Sequence, residues 1–257
     1  MCINKWGQVI YSIATSYLHS KFQESDDFRI LADAESLLAK SLFNYENIAL
    51  IQRMNQLAKL AYQIFVNPEE NNVNKFRSDF ESISNYVNSV RRQFIYDILN
   101  FVILNLNPSA KDWNPLKDDD KKRRDFLNYL NSGNAISDLA KMQVIKACAV
   151  AKIDPRKVDI KKRSEFVKKY FSAPLYLYIE ILKKIAMSGC NLLNPKERRW
   201  NWVWDMQILF SATISTLNNK KVLLITTDSE MLKAAENACL SNNVIRLKEY
   251  LELIGFI

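Results

Sequence analysis

The chain has 257 residues, 48% of them hydrophobic and 25% charged, with 13 Phe, 11 Tyr and 5 Trp; it is a folding sequence rather than a disordered one, long enough for one large core or two modest ones. Only 4 Gly and 6 Pro punctuate it, which argues for long helices and against an all-β sandwich or barrel. The formal net charge of +8 favours a polyanionic partner, either nucleic acid or an anionic membrane surface.

Residues 1–22 read as an amphipathic helix. Trp6, Val9, Ile10, Ile13, Ala14 and Tyr17 share one face, and the polar interruptions exclude a signal peptide. Residues 28–32 (FRILA) are a short apolar run, fitting either a buried strand that ends at Asp33 or the start of a longer helix. Residues 45–66 and 75–105 read as long helices joined by the turn at 67–72. The segment 108–124 is irregular, and its mixed-charge end, Lys117 to Arg124, reads as a solvated loop or a helix start. Residues 125–152 and 162–187 read as helix, separated at Asp154-Pro155. A basic, Trp-rich loop opens at Asn194-Pro195 and leads to a helix over 203–217.

The last forty residues are the most legible. Residues 221–226 (KVLLIT) form a β-rich run, 229–240 a helix with Ser229 able to cap it, 244–247 a second apolar run and 248–254 a closing helix. Strand, helix and strand at these lengths make a βαβ unit with a parallel pair. The predicted class is therefore α/β, a short parallel sheet flanked by helices, with a large all-helical insertion.

Cys2, Cys148, Cys190 and Cys239 are scattered and His19 is the single histidine. That argues against a zinc site and against a disulfide framework, and so for a reducing, cytoplasmic setting. No run approaches the ~18 apolar residues of a membrane span, so no membrane is expected as partner. Walker loops, dinucleotide glycine motifs, Ser-His-Asp sets and Cys nucleophile sites are absent from the sequence.

Ligands of an open parallel sheet gather at the carboxyl ends of its strands. Asp228 follows the 221–226 run, Asp33 follows the 28–32 run, and Asp205 lies near the start of the helix that feeds the former. Taken alone, Asp228 reads first as the cap of the following helix, Asp205 also as a partner of a helix dipole and Asp33 also as a cap. Together on one rim they would repel one another, and Mg²⁺ or Mn²⁺, which take oxygen ligands, would relieve that repulsion. Thr226 is expected to orient a carboxylate by hydrogen bond. Leading into Asp205, Lys196, Arg198 and Arg199 are suited to phosphates, and Trp200 and Trp202 to stacking on unpaired bases. The alternative is a core role for the tryptophans and solvated arginines. The clusters Lys121 to Arg124 and Lys161-Lys162-Arg163 read as solvated.

The segments WDMQILFSA at 204–212 and VLLITTDSEML at 222–232 resemble the C-terminal half of PIN-domain nucleases, in which an Asp opens a helix and the next strand ends in Thr-x-Asp. VIRLKEYL at 244–251 resembles the family's last strand and helix, and Ile30-Leu31-Ala32-Asp33 its first strand, which ends in a metal-binding Asp. The family usually carries a small polar residue and Asn after that Asp, where Ala34 and Glu35 stand here. The resemblance implies a discontinuous PIN-like α/β domain over 28–45 plus 131–257, an N-terminal helix over 1–27 and a helical insertion over 46–130. It implies a metal site of Asp33, Asp205 and Asp228, with a further acid for which Asp138 and Glu180 are the candidates. It also implies a Mg²⁺- or Mn²⁺-dependent endoribonuclease of single-stranded RNA. Two alternatives stand beside it: an inactive PIN-like module that binds RNA, a protein partner or an inhibitor, and a mostly helical interaction protein whose α/β unit is scaffold.

Overall fold

The structure is a computed structural model; it describes residues 34–46, 118–188, 201–213, 216–217, 220–221 and 223–256, together with scattered positions between 48 and 116. The chain divides into two compact units, 1–32 with 47–90, and 33–46 with 91–257. In the first, the described positions 48, 52, 78, 81, 85 and 89 are helical. The division falls at residue 90, not at the 130 expected for the end of an insertion, because the helix ending at Leu130 is part of the second unit's core.

That unit contains α1 (Ala34–Phe43), α2 (Asp120–Leu130), α3 (Gly133–Ala151), a 3-10 turn (Pro155–Lys157), α4 (Ile160–Tyr170), α5 (Ser172–Ser188) and α6 (Asn201–Ala212). It continues with β1 (Thr216–Leu217), β2 (Lys220–Lys221), β3 (Leu224–Ile225), α7 (Ser229–Asn237), β4 (Val244–Ile245) and α8 (Leu247–Leu253). The described residues are thus mostly helical with a short parallel pair, a more helical balance than the sequence suggested.

Local chemistry accounts for the breaks. The Asp119 carboxylate caps α2 by accepting from the Lys121 and Lys122 amides at 3.0 and 3.1 Å. The helix expected over 125–152 is interrupted at Asn131-Ser132, and α3 starts afresh at Gly133. The helix expected over 162–187 breaks at Phe171. Pro174 is the reason. It sits in the first turn of α5, where its missing amide costs nothing, but a continuous helix would drive its ring into the carbonyl of Tyr170. α3 and α8 both end in paired reverse bonds. Ile153 and Lys152 donate to Cys148 and Ala149 in one, Phe256 and Gly255 to Leu251 and Glu252 in the other. The left-handed residue is Gly255 at φ 70° in α8 and, with no glycine available, Lys152 at φ 56° in α3.

α5 is the central element and packs against α2, α3, α4, α6 and α7. Its Leu175, Leu177, Tyr178, Ile181 and Leu182 are fully buried, each large apolar side chain contributing about 1.5–3 kcal/mol by leaving water. Phe126 and Leu130 of α2, Leu38 of α1 and Leu139 and Val144 of α3 complete this core. A polar cluster lies within it. Buried Asp97 is ion-paired with Lys146 and accepts from the Gln93 amide at 2.9 Å. The Tyr178 hydroxyl is buried without a hydrogen-bond partner among the described residues. Burial, and then the charge of Asp97, push its pKa well above the ordinary value. Cys148 is buried and Cys239 exposed, both as free thiols; Cys2 and Cys190 lie outside the described residues.

The sheets are small. β1 and β2 form an antiparallel hairpin, with Thr216 opposite Lys221 and Leu217 opposite Lys220. β3 and β4 pair in parallel, Leu224 opposite Val244 and Ile225 opposite Ile245. The strand expected over 221–226 is therefore divided between β2 and β3, and the one expected over 244–247 stops at Ile245 because Arg246 already caps α8. The helix expected to reach residue 217 ends at Ala212, where the Thr213 hydroxyl donates to the Phe210 carbonyl at 2.6 Å. The 28–32 run lies outside the described residues. Among the described residues no helix is long and apolar enough to cross a membrane.

Candidate functional site at the carboxyl end of β3

The parallel pair is closed by Leu224 donating to Asn243 at 2.7 Å and Thr226 donating to Ile245 at 3.0 Å. Beyond the second bond the chain leaves the sheet through Thr226, Thr227 and Asp228 and enters α7. The Thr226 hydroxyl accepts from the Asp228 amide at 3.0 Å. Its own proton points to the Met231 sulfur at 4.0 Å. Thr226 thus shapes the backbone of the turn; among the described residues its hydroxyl bonds the Asp228 amide and the Met231 sulfur, and not a carboxylate as expected.

One oxygen of Asp228, Oδ1, accepts from the amides of Glu230 and Met231 at 2.8 and 2.9 Å and caps α7. The capping role is therefore real. The side chain is exposed, and Oδ2 carries no hydrogen bond to a described residue. α7 is held by burying Met231, Ala234 and Ala235 against α5. Two ion pairs flank that contact, Lys184 with Glu230 and Lys233 with Glu180 at 4.0 Å.

Asp205 lies in the second turn of α6. Its neighbours Met206, Leu209 and Phe210 are buried, and α6 packs on α5 and α1, so Asp205 is held half-buried at the edge of the core. Its pKa is raised above 3.8, first by burial and then by the negative charge of Asp228. The two carboxylates are close enough to repel each other. Two residues on, the Gln207 amide donates to Glu35 of α1 at 3.4 Å, and Lys146 approaches Glu35 at 3.9 Å. Glu35 thus touches the helix that carries Asp205, a contact the sequence left unassigned. Its signal was its place in the first turn of a helix, two residues after Asp33.

Asp33 lies outside the described residues; α1 begins at the next residue. Asp138 is engaged elsewhere, accepting from the Tyr129 hydroxyl and from Lys141, both at 2.8 Å. Burial raises its pKa, but the bonds from Lys141 and Tyr129 outweigh burial and hold it low. Glu180 accepts from Lys183 at 2.9 Å and faces Lys233. Both candidate further acids are therefore neutralised by lysines. Trp202 is half-buried in the first turn of α6. Lys196, Arg198, Arg199 and Trp200 lie outside the described residues. Among the described residues no three Asp, Glu, His or Cys side chains come together as a metal-binding group. The centre of the site is thus a carboxylate pair, Asp205 and Asp228.

Fold and site define a mostly helical protein with a C-terminal parallel βαβ unit and an acidic pair at its carboxyl edge. The chain matches no protein-family model, no curated protein sequence and no solved structure.

Proposed function

We propose that this chain is a PIN-like, divalent-metal-dependent endoribonuclease that hydrolyses phosphodiester bonds of single-stranded RNA. One observation carries the reading. Asp205, held half-buried by α6, has its pKa raised first by that burial and then by the charge of Asp228, at the carboxyl end of a parallel strand. Two carboxylates held in mutual repulsion are unfavourable without a cation between them. The donor set suits Mg²⁺ or Mn²⁺: all oxygen, both acids, with Oδ2 of Asp228 uncommitted among the described residues. Asp33 is proposed as a third ligand. It immediately precedes α1, the helix that packs on α6. When bound, the ion supplies charge neutralisation at a phosphoryl oxygen and a more acidic water. The protein's own part is to keep Asp205 and Asp228 fixed, the first through the buried face of α6 and the second through the cap of α7. The +8 charge favours the RNA strand as partner.

A second reading has its own support. Oδ1 of Asp228 is already spent on two backbone amides, and Asp138 and Glu180 are paired with lysines. A PIN-like module that binds RNA, or a protein partner, without cleaving it has this arrangement. Incubating a mixed RNA pool with Mn²⁺ and the wild type, Asp205→Asn or Asp228→Asn separates the two. Cleavage by the wild type alone supports the nuclease. Equal cleavage by all three proteins rejects this site, and RNA binding without cleavage or Mn²⁺ uptake selects the second reading.

A further inference from the structure

Residues 152–170 hold eight Lys or Arg against three Asp or Glu, so nineteen positions carry five of the chain's eight net positive charges. The sequence alone left this segment as a solvated cluster. In the structure all three acids are engaged locally. Asp154 pairs with Arg156 at 2.9 Å, Asp159 caps α4 through the Lys162 amide at 3.0 Å, and Glu165 pairs with Lys168 at 2.7 Å. Lys161, Lys162 and Lys169 have no acidic partner among the described residues. α4 buries Ser164 and Val167 and packs on α3. On its outer side, Lys162, Phe166, Lys169 and Tyr170 fall at i, i+4, i+7 and i+8, which is one helical ridge. The Phe166 and Tyr170 ring centroids are 4.6 Å apart, and Lys169 Nζ lies 4.9 Å from the Tyr170 ring centre. Tyr170 is nevertheless 49% exposed. Like charges along an exposed helix do not help it fold, and a half-exposed ring beside lysines without acidic partners is the combination that holds single-stranded nucleic acid, with bases on rings and phosphates on lysines.

We infer that the outer ridge of α4 is a binding surface for single-stranded RNA, with Lys162 and Lys169 on phosphates and Tyr170 stacked on a base. The inference shares the RNA partner with the reading above but needs neither Asp205 nor Asp228. The test is fluorescence anisotropy of a labelled, mixed-sequence single-stranded RNA with the full chain across a salt series, melting curves establishing that each variant folds. Lys162→Ala with Lys169→Ala should weaken binding at least tenfold and flatten the plot of log affinity against log salt by about 1.4, at about 0.7 per lost contact to a single strand. Tyr170→Leu should weaken binding about fivefold or more, a stacked base contributing on the order of 1–3 kcal/mol, with the slope unchanged. Unaltered affinity and slope in folded variants overturns the ridge, even where the wild type cleaves RNA with Mn²⁺. Stronger binding to phosphatidylserine vesicles than to RNA also overturns it. Ridge-dependent RNA binding without any cleavage supports the ridge and counts against the metal site alone.

Discussion

Asp205 of α6 and Asp228 at the turn after β3 are electrostatic neighbours, and the second holds the first above the ordinary carboxylate range in addition to the effect of its burial. The sign of the stability effect follows. A carboxyl whose folded pKa exceeds its unfolded value binds its proton more tightly in the native state, so its contribution is fully present below the unfolded pKa. It is lost as pH rises through the raised folded value. Asp205→Asn should therefore be more stable than the wild type at pH 7 without metal, with the gap closing below about pH 4. Urea denaturation at the two pH values measures this. A variant that is less stable at pH 7 would contradict the repulsion.

Asp228 has two roles that substitution can separate. Asparagine caps a helix about as well as aspartate, whereas alanine costs about 1 kcal/mol. Asp228→Asn should keep the stability of α7, and Asp228→Ala should lose roughly that amount. Both should abolish any rise in melting temperature that Mn²⁺ gives the wild type, because ligand binding to the native state raises stability by mass action. A Mn²⁺ shift undiminished in Asp228→Asn would place the ion elsewhere.

Tyr178 carries a buried hydroxyl with no hydrogen-bond partner among the described residues. Replacing a buried, unpaired polar group with an apolar one of the same shape is neutral or favourable. Tyr178→Phe should be as stable as the wild type or gain about 1 kcal/mol. Asp97→Ala, by contrast, leaves Lys146 without its main buried partner and should cost about 3 kcal/mol or more. A loss above 1 kcal/mol in Tyr178→Phe would reveal a partner for the hydroxyl.

Asp138 shows the opposite pH behaviour to Asp205. Its pKa is depressed by Lys141 and Tyr129 against the upward push of burial, so its contribution is present above the unfolded pKa and lost as pH falls through the folded one. Asp138→Asn should be destabilised by about 1 kcal/mol at pH 7, allowing for its partial exposure, and the deficit should shrink below pH 4. Thermal melts at pH 3 and pH 7 would check it, and a deficit that grows on acidification would refute it.

The parallel βαβ unit was legible because β-rich runs, a capping residue and an Asn turn lie within the 27 residues 221–247, where local chemistry decides. The break at Phe171 was also written in the sequence, by Pro174, but apolar periodicity across it is continuous and masks it. The β1–β2 hairpin was missed because two-residue strands flanking Asn218-Asn219 have no periodicity to read. The coupling of Asp205 to Asp228 agrees with two members of the rim expected from strand-end placement, and the third, Asp33, lies outside the described residues. The closeness of Glu35 to α6 was not anticipated, since it depends on how α1 packs, a contact 172 residues apart in the chain. The ridge on α4 likewise needed the structure, which showed that every acid nearby was already engaged.

The two ion pairs between α5 and α7 have opposite polarity, lysine to glutamate at one end and glutamate to lysine at the other. Each is a partly exposed contact of small individual strength. Their alternation nonetheless acts as a register mark. Sliding α7 by one turn along α5 brings Lys233 to Lys184 or Glu230 to Glu180, replacing attraction with repulsion at either end. The same slip would carry Asp228, the cap of that helix, about 5.4 Å along its axis and change its spacing from Asp205. A charge pattern that adds little to stability thus meters the spacing of two carboxylates on another face.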